Sequence, residues 1–186
     1  TRSGAGYADF GSDLENSLEY SSNNGASWTS YVSTNTVTLG GSPLLVRVKI
    51  NNDNPAVYEG PETFTLTATN ALASKIATGL GTIVDDGTGD IFDPDGKKNE
   101  IAEKDDDRTL RVNNVVVNEA SPYAVFTVSG DSGQAISLAL GRTGVGLGDA
   151  TLGTDLETSL EYSTDGALWT SYVSTNTVTL GGSPLL

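Results

Sequence analysis

The sequence contains no cysteine and no histidine. Disulfide frameworks, Cys/His zinc sites, Ser/His/Asp triads and Cys/His nucleophile pairs are therefore excluded together. Basic residues are scarce as well: 10 Lys and Arg stand against 24 Asp and Glu, a formal net charge of -14. That balance argues against nucleic acid as a partner and against docking on an anionic membrane. It favours cation binding, with calcium the natural ion to consider. No apolar run approaches the roughly 18 residues of a membrane span, and no charged, apolar and small-residue leader is present, so the chain is expected to be soluble as given. Its 186 residues suffice for one sizeable domain, or for one domain with pieces of its neighbours.

What is present, above all, is an internal repeat. Gly11 to Leu45 (GSDLENSLEYSSNNGASWTSYVSTNTVTLGGSPLL) recurs as Gly153 to Leu186 (GTDLETSLEYSTDGALWTSYVSTNTVTLGGSPLL). The two copies differ in length only where Asn23-Asn24-Gly25 becomes Asp165-Gly166. A one-residue change at a turn leaves both flanking strands intact. The chain is therefore expected to be a window on a tandem array, entering inside one unit and leaving inside the next.

Alternation of apolar and polar residues predicts strands at Leu45 to Ile50, Phe64 to Ala68 and Tyr123 to Val128, with shorter apolar runs at Ala135 to Leu140 and Thr177 to Leu180. Asp165-Gly166, between Leu160-Glu161-Tyr162 and Leu168-Trp169-Thr170, is a hairpin signal because glycine tolerates the positive φ of primed turns. Trp28 and Trp169 are expected to anchor a core. No 11-residue window carries helical periodicity, and Gly, Ser, Thr and Asn punctuate the chain every 8 to 12 residues. The expected fold class is all-β, an antiparallel β-sandwich.

Residues 85–107 (DDGTGDIFDPDGKKNEIAEKDDD) break the pattern with eight Asp, two Glu and three Lys. They read as an acidic interdomain linker, 88–107 once the flanking strand end is set aside. Asp-rich turns suit hard cations, since calcium takes six to eight oxygen ligands from carboxylates and carbonyls of short loops. The candidates are Asp53 in Asn51-Asn52-Asp53-Asn54 with Glu59 and Glu62, Asp85 with Asp86, Glu119, Asp13 with its repeat Asp155, and the linker residues Asp90, Asp93, Asp95, Asp105, Asp106 and Asp107. Asp93-Pro94-Asp95-Gly96 is similar to part of an EF-hand loop, but its first position would be Ile91 and its twelfth Ala102, so that motif fails.

Asn52 to Phe64 (NDNPAVYEGPETF), followed by Gly81 to Gly87 (GTIVDDG), resembles the second half of a Calx-beta domain. Val117 to Ser121 with Val125 to Val128 and Gly153-Thr154-Asp155 is similar to the first half. The combination resembles the repeats of large bacterial RTX adhesins exported by type I secretion. The resemblance implies an immunoglobulin-like sandwich, a secreted protein at the bacterial cell surface, and calcium held at one end of the sandwich by Glu119, Asp155, Asp53, Glu59, Glu62, Asp85 and Asp86. It makes 1–87 the C-terminal part of one repeat and 108–186 the N-terminal part of the next. The chain departs from that pattern in an Asn-rich acidic loop with an apparent insertion near Pro55-Ala56, and it lacks the glycine-rich nonapeptides of calcium rolls.

Three functions follow as expectations. In the first, calcium stiffens the junctions of a string of repeats, and neighbouring repeats are the partners, with strand complementation between chains. In the second, an exposed Tyr31, Tyr172 or Trp169 stacks on a sugar. In the third, a carboxylate pair hydrolyses a glycoside, which near copies without a cleft-forming insertion argue against.

Overall fold

The computed structural model describes residues 6–141, 144 and 149–186. All eleven elements among them are β-strands, and all pairings between those strands are antiparallel. No helix among the described residues is long and apolar enough to cross a membrane. The chain divides into two compact units, Thr1–Asp107 and Arg108–Leu186.

The first unit holds β1 (Leu14–Ser21), β2 (Thr29–Ser30), β3 (Leu45–Ile50), β4 (Glu62–Thr69) and β5 (Ile76–Ile83). β1 lies between β2 and β3, and β4 forms a hairpin with β5. The β4–β5 ladder runs unbroken from Glu62↔Ile83 to Thr69↔Ile76. Alternating Thr and apolar residues explain it, because β-branched side chains fit the pleat and pair across it, as Thr67 and Thr78 do with hydroxyls 3.1 Å apart. Gly81 leaves room for the ring of its partner Phe64, which lies 2.3 Å from where a Cβ would sit and would have to move for any larger residue. Leu14, 1% exposed, is the most deeply buried apolar side chain among the described residues of this unit.

Residues 88–107, expected as a linker between domains, fall within the first unit and are tied to it at two places. At one, Gly87 N–H donates to Asp105 C=O (2.8 Å) and Asp107 N–H to Asp85 C=O (2.9 Å). At the other, the Asp93–Gly96 turn sits on the β1–β3 sheet. Arg47 of β3 donates to the Pro94 carbonyl, pairs with Glu19 of β1 at 2.7 Å and stacks 4.0 Å over the Trp28 ring. Gly25 permits this approach, since a Cβ there would lie 2.1 Å from the Asp95 carbonyl oxygen. Removing the guanidinium forfeits about 1 kcal/mol of cation–π and ion-pair attraction. Arg47→Ala is therefore expected to speed tryptic cleavage at Lys97 and Lys98 several-fold. Equal rates in parent and variant would mean the turn is not held by Arg47.

The second unit holds β6 (Arg111–Val112), β7 (Val128–Ser129), β8 (Ala135–Ile136), β9 (Leu160–Tyr162), β10 (Thr170–Tyr172) and β11 (Val178–Thr179). Its core is Val128, Ile136, Val178, Leu180 and Leu185, with Leu138, Tyr162 and Tyr172 packed against it. Two expectations need correction. Only Val128 of the Tyr123 to Val128 run enters a strand, and Tyr123, Val125 and Phe126 are exposed. Trp169 is 43% exposed and anchors no core; Trp28 is half-buried, covered by Arg47 and the Gly96 backbone.

The two copies of the repeat fold alike locally. Ser21 and Ser163 are both 1% exposed, and each hydroxyl donates to the turn residue two positions on and accepts from a turn glycine N–H at 2.9 Å. The glycines, Gly25 and Gly166, have φ of +85° and +72°. The hairpin registers also match, Tyr20↔Thr29 in one copy and Tyr162↔Thr170 in the other. Beyond the hairpins the copies diverge. Leu180 is 3% exposed beside the β8–β11 ladder, whereas its counterpart Leu39 is 71% exposed in a stretch that forms no strand.

Candidate metal centre

In the first unit, the start of β1, the β3–β4 connection and the start of β4 bring three carboxylates together. Asp13, Glu59 and Glu62 each place an oxygen within 4.8 Å of the others, and among the described residues no other group of three acidic side chains does so. Local structure fixes each of them. Asp13 is 8% exposed, immediately before Leu14, and its carboxylate accepts the Asp9 N–H while its carbonyl accepts the Asn51 N–H. Glu62 is the first residue of β4, placed by the long ladder to β5. Glu59 is held through its backbone N–H, which donates to Asp85 Oδ2 at 2.7 Å. A cleft of about 670 Å³ lies over the group, lined also by Asp9, Tyr7 and Tyr58.

A smaller cleft, about 180 Å³, joins Asp13, Glu59 and Glu62 to Asp53, Asp85 and Asp107. Asp105 also lines it. Asp85 contributes the most telling atom: its Oδ1 is buried and has no hydrogen-bond partner, although Oδ2 is engaged. A buried carboxylate oxygen without a donor is costly unless a cation takes that place.

The electrostatics describe the same crowding. Burial pushes the Glu62 carboxyl up to about 7, helped by the charges of Asp13 and Glu59 and by a hydrogen bond with Asp13. The Asp53 carboxylate, followed by burial and Asp13, raises Glu59 above the ordinary carboxylate range. Burial, then Asp105, Asp85 and Asp53, raises Asp107. Adjacent carboxylates cannot all ionise without compensation, so the cluster holds protons or a cation. An all-oxygen donor set suits a hard divalent ion such as calcium, and the donors present fit it.

The other candidates lie elsewhere. Glu119 and Asp155 belong to the second unit and are exposed. Asp155 accepts the Thr151 N–H at 2.7 Å in the same turn that Asp13 makes with Asp9. Asp86 caps Thr88, accepting from its N–H and hydroxyl. Asp106 sits opposite Asp86 in an antiparallel bridge. Lysines compensate most of the Asp93–Gly96 neighbourhood: Lys97 holds Asp95 at 2.6 Å, Lys98 holds Asp90 at 3.1 Å and Glu100 at 3.0 Å, and Asp93 accepts from Asn99. The sequence reading missed Asp9, which adds to the charge that raises Glu62. The repeat could not flag it, because the matching position in the second copy is Thr151. No protein-family model, curated protein or solved structure matches this chain.

Proposed function

We propose that the chain is a calcium-binding structural repeat of a secreted bacterial surface protein, a β-sandwich of Calx-beta type that spaces a binding tip away from the cell and does no catalysis. The observation that carries the metal reading is the convergence of Asp13, Glu59 and Glu62 beside the unpartnered Asp85 Oδ1. The internal repeat supports the array, and the resemblance of Asn52 to Phe64 and Gly81 to Gly87 supports the kinship and the extracellular setting. In this reading Asp105 and Asp107 extend the site, so calcium also fastens the end of residues 88–107 to the strand end at Asp85.

Calorimetric titration with calcium tests the proposal. A dissociation constant on the order of 10⁻⁴ to 10⁻³ M is expected for an extracellular module. The double variant Asp13→Asn, Glu62→Gln should weaken binding at least tenfold, and Glu119→Gln with Asp155→Asn should leave it unchanged. Heat-silent, non-saturating addition up to millimolar calcium would exclude the site. A carbohydrate-binding reading draws support from the exposure of Trp169 (43%) and Tyr31 (38%). Tyr172 is less suited to that role, since its hydroxyl is engaged with Leu138 N–H and Asn176 C=O.

A further inference from the structure

We propose that Asn24 is a site of spontaneous covalent modification, deamidation to aspartyl and isoaspartyl, which the fold holds in check and whose occurrence releases residues 93–96 from the β1–β3 sheet. The inference goes beyond cation binding and does not rest on it. Asn24-Gly25 is the only Asn-Gly dipeptide in the sequence, and Asn24 is exposed in the turn between β1 and β2. The chemistry needs no enzyme. The Gly25 nitrogen gives its proton to hydroxide and attacks the Asn24 side-chain carbonyl carbon, the bond to the side-chain nitrogen breaks, and ammonia leaves behind a five-membered succinimide. Water then opens the ring at either carbonyl, giving aspartyl or isoaspartyl. Glycine in the following position favours the attack, because no Cβ hinders its nitrogen.

Three features of the folded chain oppose the reaction. Asn24 has a φ of +59°, in the left-handed region where ψ is about +47°. At that angle the Asn24 Cβ and the Gly25 nitrogen lie on opposite sides of the Cα–C bond, whereas ring closure needs them on the same side. The Gly25 N–H donates to the Ser21 hydroxyl at 2.9 Å. Ser21 is 1% exposed, so taking that proton away forfeits a buried hydrogen bond. Finally, the Asp95 carbonyl covers the glycine, its oxygen 2.1 Å from where a Gly25 Cβ would sit. The β1–β2 turn must therefore open, and residues 93–96 must lift, before the ring can close. The converse also holds. An isoaspartyl residue adds a methylene to the main chain and a new charge next to Gly25, so the converted turn no longer fits beneath Asp93–Gly96. Asp165-Gly166 at the matching turn of the second copy has no side-chain amide to lose.

Peptide mapping of the full chain held in warm buffer at pH 8 tests this, with a synthetic peptide, Ser21 to Trp28, as the unprotected reference. Isoaspartate at Asn24 should form roughly tenfold or more slowly in the chain than in the peptide, since local opening must precede reaction. Ser21→Ala should speed its formation several-fold. Should that variant misfold, Arg47→Ala decides the question: it loosens the Asp93–Gly96 turn from β3, away from the reacting atoms, and should speed formation as well. Chain converted at Asn24 should be cut by trypsin at Lys97 and Lys98 several-fold faster than unconverted chain. Equal rates in chain and peptide, no acceleration in either variant, or unchanged cleavage after conversion overturns the proposal.

Discussion

Ten millimolar calcium is expected to raise the melting temperature of the first unit by about 10 °C at pH 8 and by far less at pH 5.5. At the tighter end of the expected range, a dissociation constant on the order of 10⁻⁴ M, ten millimolar is a hundredfold excess. That excess adds about 2.7 kcal/mol when the ion binds only the folded state, and each kcal/mol moves a domain of this size by about 4 °C. The pH dependence comes mainly from Glu62, whose carboxyl is pushed up to about 7 in the folded protein from an ordinary value of 4.5. A raised folded-state value means that the protonated form stabilises the fold. That contribution is complete below about pH 4.5 and is lost as pH rises through 7. In chelator, melting should therefore fall between pH 5 and 8. Calcium takes the place of the proton, so the fall should vanish in calcium, and below pH 7 the ion must first expel that proton. Calorimetry at pH 5.5 and 8, with and without calcium, measures both effects. An equal calcium increment at the two pH values, or melting that rises with pH in chelator, would sink the assignment. Glu62→Gln should remove most of the pH effect and most of the calcium increment, leaving the smaller contributions of Glu59 and Asp107.

A second large effect contrasts two leucines in the same sequence context. Leu180→Ala should cost about 2–4 kcal/mol, because the side chain is 3% exposed in the core of the second unit and its removal leaves a cavity. Leu39→Ala changes the equivalent residue of the first copy, which is 71% exposed, and should cost less than about 0.5 kcal/mol. Denaturant unfolding of the full chain, following both transitions, measures the pair. Similar costs at the two positions would mean that the two copies are packed alike.

That contrast also marks how far the sequence could be read. Strands with strict alternation were legible: Leu45 to Ile50 was placed to the residue, and β4 extends Phe64 to Ala68 by two residues at its start and one at its end. The Asp165-Gly166 turn was legible because a two-residue signal sits between strands of fixed register. Burial was not, since Leu39 and Leu180 share the same neighbours in sequence and differ only in what lies across from them. The same lack of tertiary context misplaced Trp169. At the candidate metal centre, Glu59, Glu62, Asp53 and Asp85 were named from loop chemistry. That Asp13 belongs with them follows from its fold within the same unit, which the sequence of the repeat does not reveal. The acidic run 85–107 illustrates the converse: its composition reads as uniform, yet lysines neutralise one part while the other lines the cleft.

The duplication of the β1–β2 hairpin has a consequence for folding. Two near-identical hairpins offer the same edge to β3, so contacts alone do not choose between them. Connectivity does. The span from Ser21 to Leu45 is nearly five times shorter than the span from Ile50 to Leu160. Loop-closure entropy grows as three-halves of RT times the logarithm of length, which favours the nearer hairpin by about 1.4 kcal/mol, roughly tenfold. That margin holds for an isolated chain. In a crowded refolding mixture, hairpins of other chains compete without the penalty of a long loop, so the fraction of wrongly partnered molecules rises with protein concentration and dilution restores fidelity.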